Sequence, residues 1–406
     1  MSQSNNFALI FIINYTVFMK SFTKGRKSSS RSRKGGHQSK ELPRNTFINN
    51  QASSEEVTYQ GTSYQDFDFS SQMKKNLDYK GFTLTTEIQE KAIPEIINKT
   101  NLLGISATGS GKTGAFLIPL IDALISNNGE KLIVIAPTRE LAEQIHKEAL
   151  SLMRGTKLFS TLVIGGESMQ KQINKLEKHN DIVIGTPGRI KDLIQQEKLN
   201  LKSYNNVVID EVDRMFDMGF ITDIRFIFSQ TPENRHALFF SATHNNEVED
   251  IVNSLVDSYN IIKLSSNTPT NHVVQSVIDY SHSREKMTLL QELLEEEEVE
   301  KAIIFVETKR YADDVEQILR KNNFRVASIH GDKRQNVRKK VIDLFTKSKV
   351  DVLVATNVAA RGIDIDDITH VINLDQPQSY DEYIHRIGRT GRNGAYGKAL
   401  TFVKRK

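Results

Sequence analysis

From about Tyr64 onward, apolar runs of three to five residues recur and end in polar or glycine-containing turns: Leu132 to Ala136, Ile182 to Ile184, Val207 to Ile209, Leu238 to Phe240. Runs this short and uniformly apolar read as strands buried on both faces of a parallel sheet, since a helix needs more length. Amphipathic stretches such as Glu140 to Ser151 lie between them, and the alternation predicts a doubly wound α/β architecture. A second series begins at Ile303 to Val306 and continues through Val352 to Ala355 and Val371 to Leu374. Between the series, Leu264 to His272 (L-S-S-N-T-P-T-N-H) has turn chemistry and little to bury, which puts an interdomain linker there. The pattern predicts α/β domains over residues 61–265 and 273–406 behind a disordered tail over 1–60. In open α/β sheets, ligands collect at the carboxyl ends of strands.

Length and composition agree: 406 residues, 38% hydrophobic and 26% charged, suit a globular protein of two domains plus a tail. There is no cysteine, which excludes a disulfide framework, a thiolate metal site and a thiol nucleophile. The apolar run Phe7 to Met19 is 13 residues long, against about 20 for a membrane span. It has no positive charge before it and no small-residue cleavage site after it, as a signal peptide would. Translation is therefore expected to start at Met19, with 1–18 not translated.

Residues 20–44 carry nine Lys/Arg against one Glu, although the whole chain is only +4. The basicity belongs to this segment, and the body is net acidic. Its Ser/Arg/Lys/Gly composition predicts disorder. Three uses stay open: an RNA-binding tail, a solubility tail and an organellar targeting segment. The acidic run Glu295 to Glu298 reads as a solvated helix end.

Three elements carry chemistry. Ser106 to Thr113, S-A-T-G-S-G-K-T, follows the apolar Leu102 to Ile105 and opens a helical pattern. Glycines in such a loop let backbone N–H groups approach phosphates, Lys112 can reach the β/γ-phosphates, and the Thr113 hydroxyl can ligate Mg²⁺. The strict pattern has Gly where Ser106 stands, so the loop is a variant. Val207 to Ile209 lead into Asp210, Glu211, Val212 and Asp213. Carboxylates at a strand end suit Mg²⁺ binding by Asp210 and orientation or deprotonation of water by Glu211, although a helix cap has the same look. His385 to Arg392, H-R-I-G-R-T-G-R, offers Arg389 and Arg392 as arginine fingers reaching across a cleft.

These elements, in this order on two α/β domains, resemble the DEAD-box RNA helicases of helicase superfamily 2, over about Tyr64 to Val403. The resemblance implies two tandem RecA-like domains, RNA-stimulated ATP hydrolysis with ATP and Mg²⁺ as cofactors, and local RNA unwinding or remodelling on interdomain closure. It makes Lys112, Glu211, Arg389 and Arg392 catalytic, and Thr108, Gly109, Ser110, Gly111, Lys112 and Thr113 the phosphate cradle. Gly81 to Gln89 resembles the adenine-selecting segment, with Gln89 on the adenine edge and Tyr64 stacked on the base. Pro137, Thr138, Arg139, Gly166, Thr186 and Arg189 match first-domain contacts to RNA, and Gly331 and Thr356 second-domain ones. Asp364 matches the ribose contact. Asp213, Ser241, Thr243, Arg361 and His385 match the network coupling hydrolysis to duplex opening. Ile303 to Thr308 and His330-Gly331-Asp332 with Gln335 and Arg338 match further segments.

The chain departs from the family at three places. Val212 replaces alanine, with activity expected to survive. Thr85-Thr86-Glu87 replaces Pro-Thr-Pro, which predicts a slacker turn around Gln89 and looser adenine selection. Asn357 replaces aspartate, removing a charge near the closure surfaces. The chain ends soon after the last motif, so RNA targeting is expected from the tail or a protein partner. A cytoplasmic monomer gripping phosphates and sugar hydroxyls is expected, with no membrane role. A DNA translocase and a non-hydrolysing RNA clamp are the rival readings.

Overall fold

A computed structural model describes residues 42–49, 60–107, 109–126, 129–264, 273–296, 298–360, 365, 367–391 and 396–405. The runs expected to be strands are strands. In the first lobe they are β1 (Leu102–Ile105), β2 (Leu132–Ile135), β3 (Ser160–Val163), β4 (Ile182–Gly185), β5 (Asn206–Ile209), β6 (His236–Ser241) and β7 (Asn260–Lys263). They form one parallel sheet in the order β3-β4-β2-β5-β6-β1-β7. The second lobe holds β8 (Val273–Tyr280), β9 (Ala302–Val306), β10 (Val326–Ile329), β11 (Val352–Thr356), β12 (His370–Asn373) and β13 (Gly397–Lys404). These are also parallel, in the order β10-β11-β9-β12-β13-β8. Helices cover both faces of each sheet, so each lobe has two apolar clusters that share the sheet as a wall. Central strands such as β1, β2 and β5 are buried at every position, which is why they read as continuous apolar runs.

The switch between β1 and its neighbours brings the loop after β1, the acidic turn after β5 and the Ser241 turn after β6 side by side at one sheet end, because β5, β6 and β1 are adjacent.

One expectation needs correction. Residues 42–49 fall in the segment expected to be disordered, yet Arg44–Phe47 form a 3-10 turn with Phe47 completely buried in the second lobe. Asn49 pairs with Gln275 of β8 in an antiparallel bridge. Polar composition hid one aromatic anchor, and one anchor suffices to order a short segment on a preformed surface. The basic segment 20–40, Met19 and most of the linker lie outside the described residues. Among the described residues, no helix is long and apolar enough to cross a membrane.

Each lobe buries one histidine at the start of a central strand, His236 in β6 and His370 in β12. Burial pushes both imidazoles down to about 4, and nearby Lys99 and Lys398, respectively, act in the same direction. The unfolded value is near 6.5, so between pH 6.5 and 4 the unfolded chain takes up protons that the folded chain refuses. Stability is complete above that window and falls as pH drops through it, by about 3 kcal/mol per lobe. Urea unfolding of wild type and His236→Asn across pH 7 to 4 is expected to show a shallower acid loss for the variant. An identical slope would refute the assignment.

Candidate nucleotide and interlobe site

The loop after β1 runs into the N-terminus of helix Lys112–Ser126, where free N–H groups and the helix dipole favour anions. Gly109 and Gly111 take φ of +81° and +96°, conformations that cost a residue with a side chain. A Cβ on Gly111 would also lie 2.7 Å from the Gln89 and Thr86 side chains. Lys112 is buried, and its ammonium donates to Ser106 O (2.6 Å) and Ala107 O (3.2 Å). Burial lowers its pKa, with Asp210, Asp213 and Glu211 opposing.

Gln89 is built into this loop. Its Nε2 donates to Gly111 O (3.0 Å), and its Oε1 accepts from Tyr64 Oη and from Thr86 N (2.9 Å). Both amide-oxygen lone pairs are thus used, which leaves one Nε2 hydrogen to donate. Tyr64 itself departs from expectation. It is only 2% exposed, with Phe67 and Phe82 rings at 6.5 and 6.2 Å, so it offers no open face for stacking, and its hydroxyl meets Gln89 instead. The turn is also not slack. Thr85 N donates to Thr62 O (2.9 Å), Thr62 Oγ1 donates to Glu90, and Thr86 closes a capping box with Gln89. These hydrogen bonds take over the stiffening that two prolines would give.

The acidic turn after β5 is buried throughout. Burial, then the charge of Glu211, pushes Asp210 up to about 7, and Lys112 pulls the other way. Among the described residues no group of three or more His, Cys, Asp or Glu side chains is arranged to hold a metal. Mg²⁺ carried in on phosphates needs only one or two protein groups, and Asp210 and Thr113 are the residues here that would hold it. Glu211 sits in the left-handed region at φ +54°, a conformation costing on the order of 1–3 kcal/mol outside glycine. Val212 is fully buried in the apolar cluster of the helical face, so its added methyl groups leave the carboxylates in place.

Asp213 is the hub of the site. Burial alone would raise its pKa, but His385 and Arg214 outweigh that and hold it well below the carboxylate range. Its Oδ2 accepts from Ala242 N (3.2 Å), Thr243 N (3.1 Å) and Thr243 Oγ1 (3.2 Å). Ser241 Oγ donates to Thr243 O (2.8 Å). From the second lobe, His385 Nε2 reaches within 3.6 Å of the same oxygen.

Reading the sequence missed Arg214. It is 1% exposed and donates to Glu211 Oε2 (2.6 Å), and its Nη2 has no hydrogen-bond partner among the described residues. Arg214 lines an interlobe cavity with Asn357, Glu382, His385 and Arg389. Of the H-R-I-G-R-T-G-R cations, Arg386 and Arg389 both line this cavity, and Arg386 also donates to Asn357 Oδ1 (2.8 Å), Asn373 Oδ1 (3.1 Å) and Asp375 O (2.7 Å). Asn357 also donates to Glu382. An aspartate there would face the Glu382 carboxylate, so the amide suits this neighbour.

The lobes meet at a second place. Arg338 pairs with Glu140 (2.8 Å), both buried, and Lys339 with Glu143 (3.1 Å) and Glu167 (2.7 Å). Gln335 accepts from Arg139 (3.3 Å) and donates to Glu140 (3.2 Å). Arg139 lies against Gly165 and Gly166, and a Cβ on Gly166 would be 2.2 Å from its Nη1. Thr138 caps helix Arg139–Leu152 at the end of β2, following Pro137. Thr186 precedes helix Pro187–Gln195 after β4. Arg189 donates to Glu167 O (3.3 Å) and Gln172 Oε1 (3.1 Å). On the second lobe, Gly331 lies two residues beyond the end of β10, and Thr356 is the last residue of β11. Thr108, Arg361, Asp364 and Arg392 lie outside the described residues.

Two family patterns match the chain: DEAD/DEAH box helicase over residues 86–251 and helicase conserved C-terminal domain over residues 285–394. The ATP-dependent RNA helicase RhlB of Vibrio atlanticus (strain LGP32) is 41% identical over 350 residues, covering 84% of this chain and 80% of the relative. RhlB of Vibrio cholerae (strain M66-2) matches at the same identity and coverage. Among solved structures, S. cerevisiae Dbp5 bound to RNA and ADP BeF3 superposes with TM-score 0.76 at 29% identity, covering 85% of this chain and 90% of that one. Mss116p bound to ssRNA and AMP-PNP gives 0.77 at 26% identity, covering 86% and 76%.

Proposed function

The chain belongs to the DEAD/DEAH box helicase family, and we propose on that premise how its residues divide the work of an ATP-dependent RNA helicase. The first lobe holds ATP. Gln89 donates its remaining N–H to the adenine edge, the loop 108–113 cradles the phosphates, and Lys112 leaves its carbonyl partners to meet them. Asp210 and Thr113 would hold Mg²⁺, which when bound would supply charge neutralisation at the phosphates. Glu211 orients the attacking water and accepts its proton. The second lobe contributes Arg389, with Arg392 as a further finger, and Asp364 at the ribose. RNA lies across both lobes against Pro137 to Arg139, Gly166, Thr186, Arg189, Gly331 and Thr356, contacted through phosphates and sugar hydroxyls.

The observation that carries this reading is the meeting of Asp213 and His385 across the lobes at 3.6 Å, beside a cavity shared by Arg214 and Arg389. Hydrolysis is thereby conditional on closure, and closure on RNA. Asp213 links the acidic turn to Ser241 and Thr243 on one side and His385 on the other, with Arg361 in the same network. We place the protein in the cytoplasm as a monomer over residues 61–265 and 273–406, directed to its RNA by the tail or a protein partner.

Phosphate release is expected to rise on adding single-stranded RNA, not DNA of the same sequence, and to vanish in Lys112→Ala. Equal stimulation by DNA would favour a translocase, and binding without any release would favour a clamp.

A further inference from the structure

The docked segment 42–49 lies outside both family-matched regions; it runs along β8, and one of its side chains reaches the helix behind that strand. Phe47, wholly buried, meets the Tyr383 ring edge-on, with centroids 5.1 Å apart at 71°. Tyr383 is also buried, and its hydroxyl donates to Gln275 Oε1 (2.8 Å). Gln275 is held in turn by the segment: Asn49 N donates to Gln275 O (3.2 Å), and Gln275 N to Asn49 O (3.1 Å). Arg44 fastens the other end to Asp279 (2.7 Å). Tyr383 is therefore met on its ring by Phe47 and on its hydroxyl by Gln275, the β8 residue that bridges to Asn49.

Tyr383 belongs to helix Tyr380–Ile387. His385 follows it by two positions, about 200° around a helix of 3.6 residues per turn. The face opposite these contacts therefore carries the imidazole that meets Asp213. Arg389 comes two residues after the helix ends, and its Nε donates back to His385 O (3.3 Å). A rotation of this helix moves both groups together. Interiors are close-packed, so a ring filling the space behind Tyr383 removes that rotation. By Gly61–Tyr64 the chain is in the first lobe, so the wedge behind a second-lobe helix comes from the strand of chain leading into the ATP-binding lobe.

We propose that Phe47 is a positioning residue of the ATPase. Acting through Tyr383, it fixes the rotation of the helix that presents His385 and Arg389 to the first lobe. The inference rests on the proposed roles of those two residues. A large-to-small change at Phe47 opens a cavity behind the helix and loosens it. The nucleotide pocket of the first lobe is not touched.

The test uses the full chain with Phe47→Ala, Phe47→Leu, Arg44→Glu and Arg389→Ala, and reads RNA-saturated ATP turnover and the Kd of fluorescent ADP. Phe47→Ala is expected to lower kcat about tenfold, a barrier change of about 1.4 kcal/mol, with ADP affinity within twofold of wild type. Phe47→Leu should restore most of the rate. Arg44→Glu, which repels Asp279 without opening the core, should give a smaller loss of the same kind if Phe47→Ala fails to fold. In an Arg389→Ala background, Phe47→Ala should cost clearly less than tenfold, because one of the two groups it positions is gone and only His385 remains to be displaced. A wild-type rate in both Phe47→Ala and Arg44→Glu overturns the proposal, as does an undiminished loss in the Arg389→Ala background, or an ADP affinity that falls in step with kcat. A wild-type chain without RNA-stimulated turnover removes the underlying reading, and this inference with it.

Discussion

Arg389→Ala is expected to reduce RNA-stimulated ATP turnover by roughly 10³ to 10⁵-fold, the range seen when an arginine finger is lost, with ADP binding unchanged. Arg389 is 4% exposed and already tethered to His385 O, so little ordering entropy remains to be lost when the lobes close. It shares its cavity with Arg214, the partner of Glu211, which puts one side chain between the second lobe's cation and the residue assigned to the attacking water. Lysine at 389 should not rescue, because an ammonium lacks the planar fork that meets two phosphate oxygens together. Single-turnover phosphate release at saturating RNA measures this. A loss under tenfold would remove Arg389 from the reaction.

Glu211→Gln should lower turnover by roughly 10² to 10⁴-fold, the usual contribution of a general base, while ATP and RNA stay bound together. The amide keeps the side chain's shape and can still accept from Arg214, so the left-handed backbone at 211 and the turn around it should persist. Retention of ATP with RNA is the discriminating part of the result, readable by filter binding of labelled nucleotide in the presence and absence of RNA. Undiminished turnover would leave the water to some other base. A variant that loses turnover and nucleotide binding together would show Glu211 to be structural, acting through the buried Arg214.

Much of this site could be read one residue at a time. The phosphate loop and acidic turn are legible because their chemistry is local: glycines with positive φ before a helix, and carboxylates just after an apolar run. The Arg389 segment is legible for the same reason, although its neighbour Arg386 looks identical in sequence and only the structure shows it bonded to Asn357, Asn373 and Asp375. Glu140 and Arg338 are 198 positions apart in number and in direct contact in space, so no periodicity could join them. Phe47 was invisible because its surroundings in the chain are polar, and its burial comes from Tyr383, far along the sequence. Tyr64 was recognisable as an aromatic near Gln89, but only packing against Phe67 and Phe82 shows that its hydroxyl rather than its ring is in use. The turn at Thr85 and Thr86 looked weak without prolines, since stiffness by hydrogen bonding to Thr62 cannot be seen in a list of residues.

By itself, the sequence determined two parallel α/β lobes and the chemistry carried at their strand ends, because strand burial and glycine geometry are properties of a few consecutive residues. Tertiary structure alone decided which cation faces which carboxylate across the lobes, and which segment braces the helix that brings them together. Coulomb energy and close packing depend on separation through space, and the chain fixes that separation only once both lobes have folded.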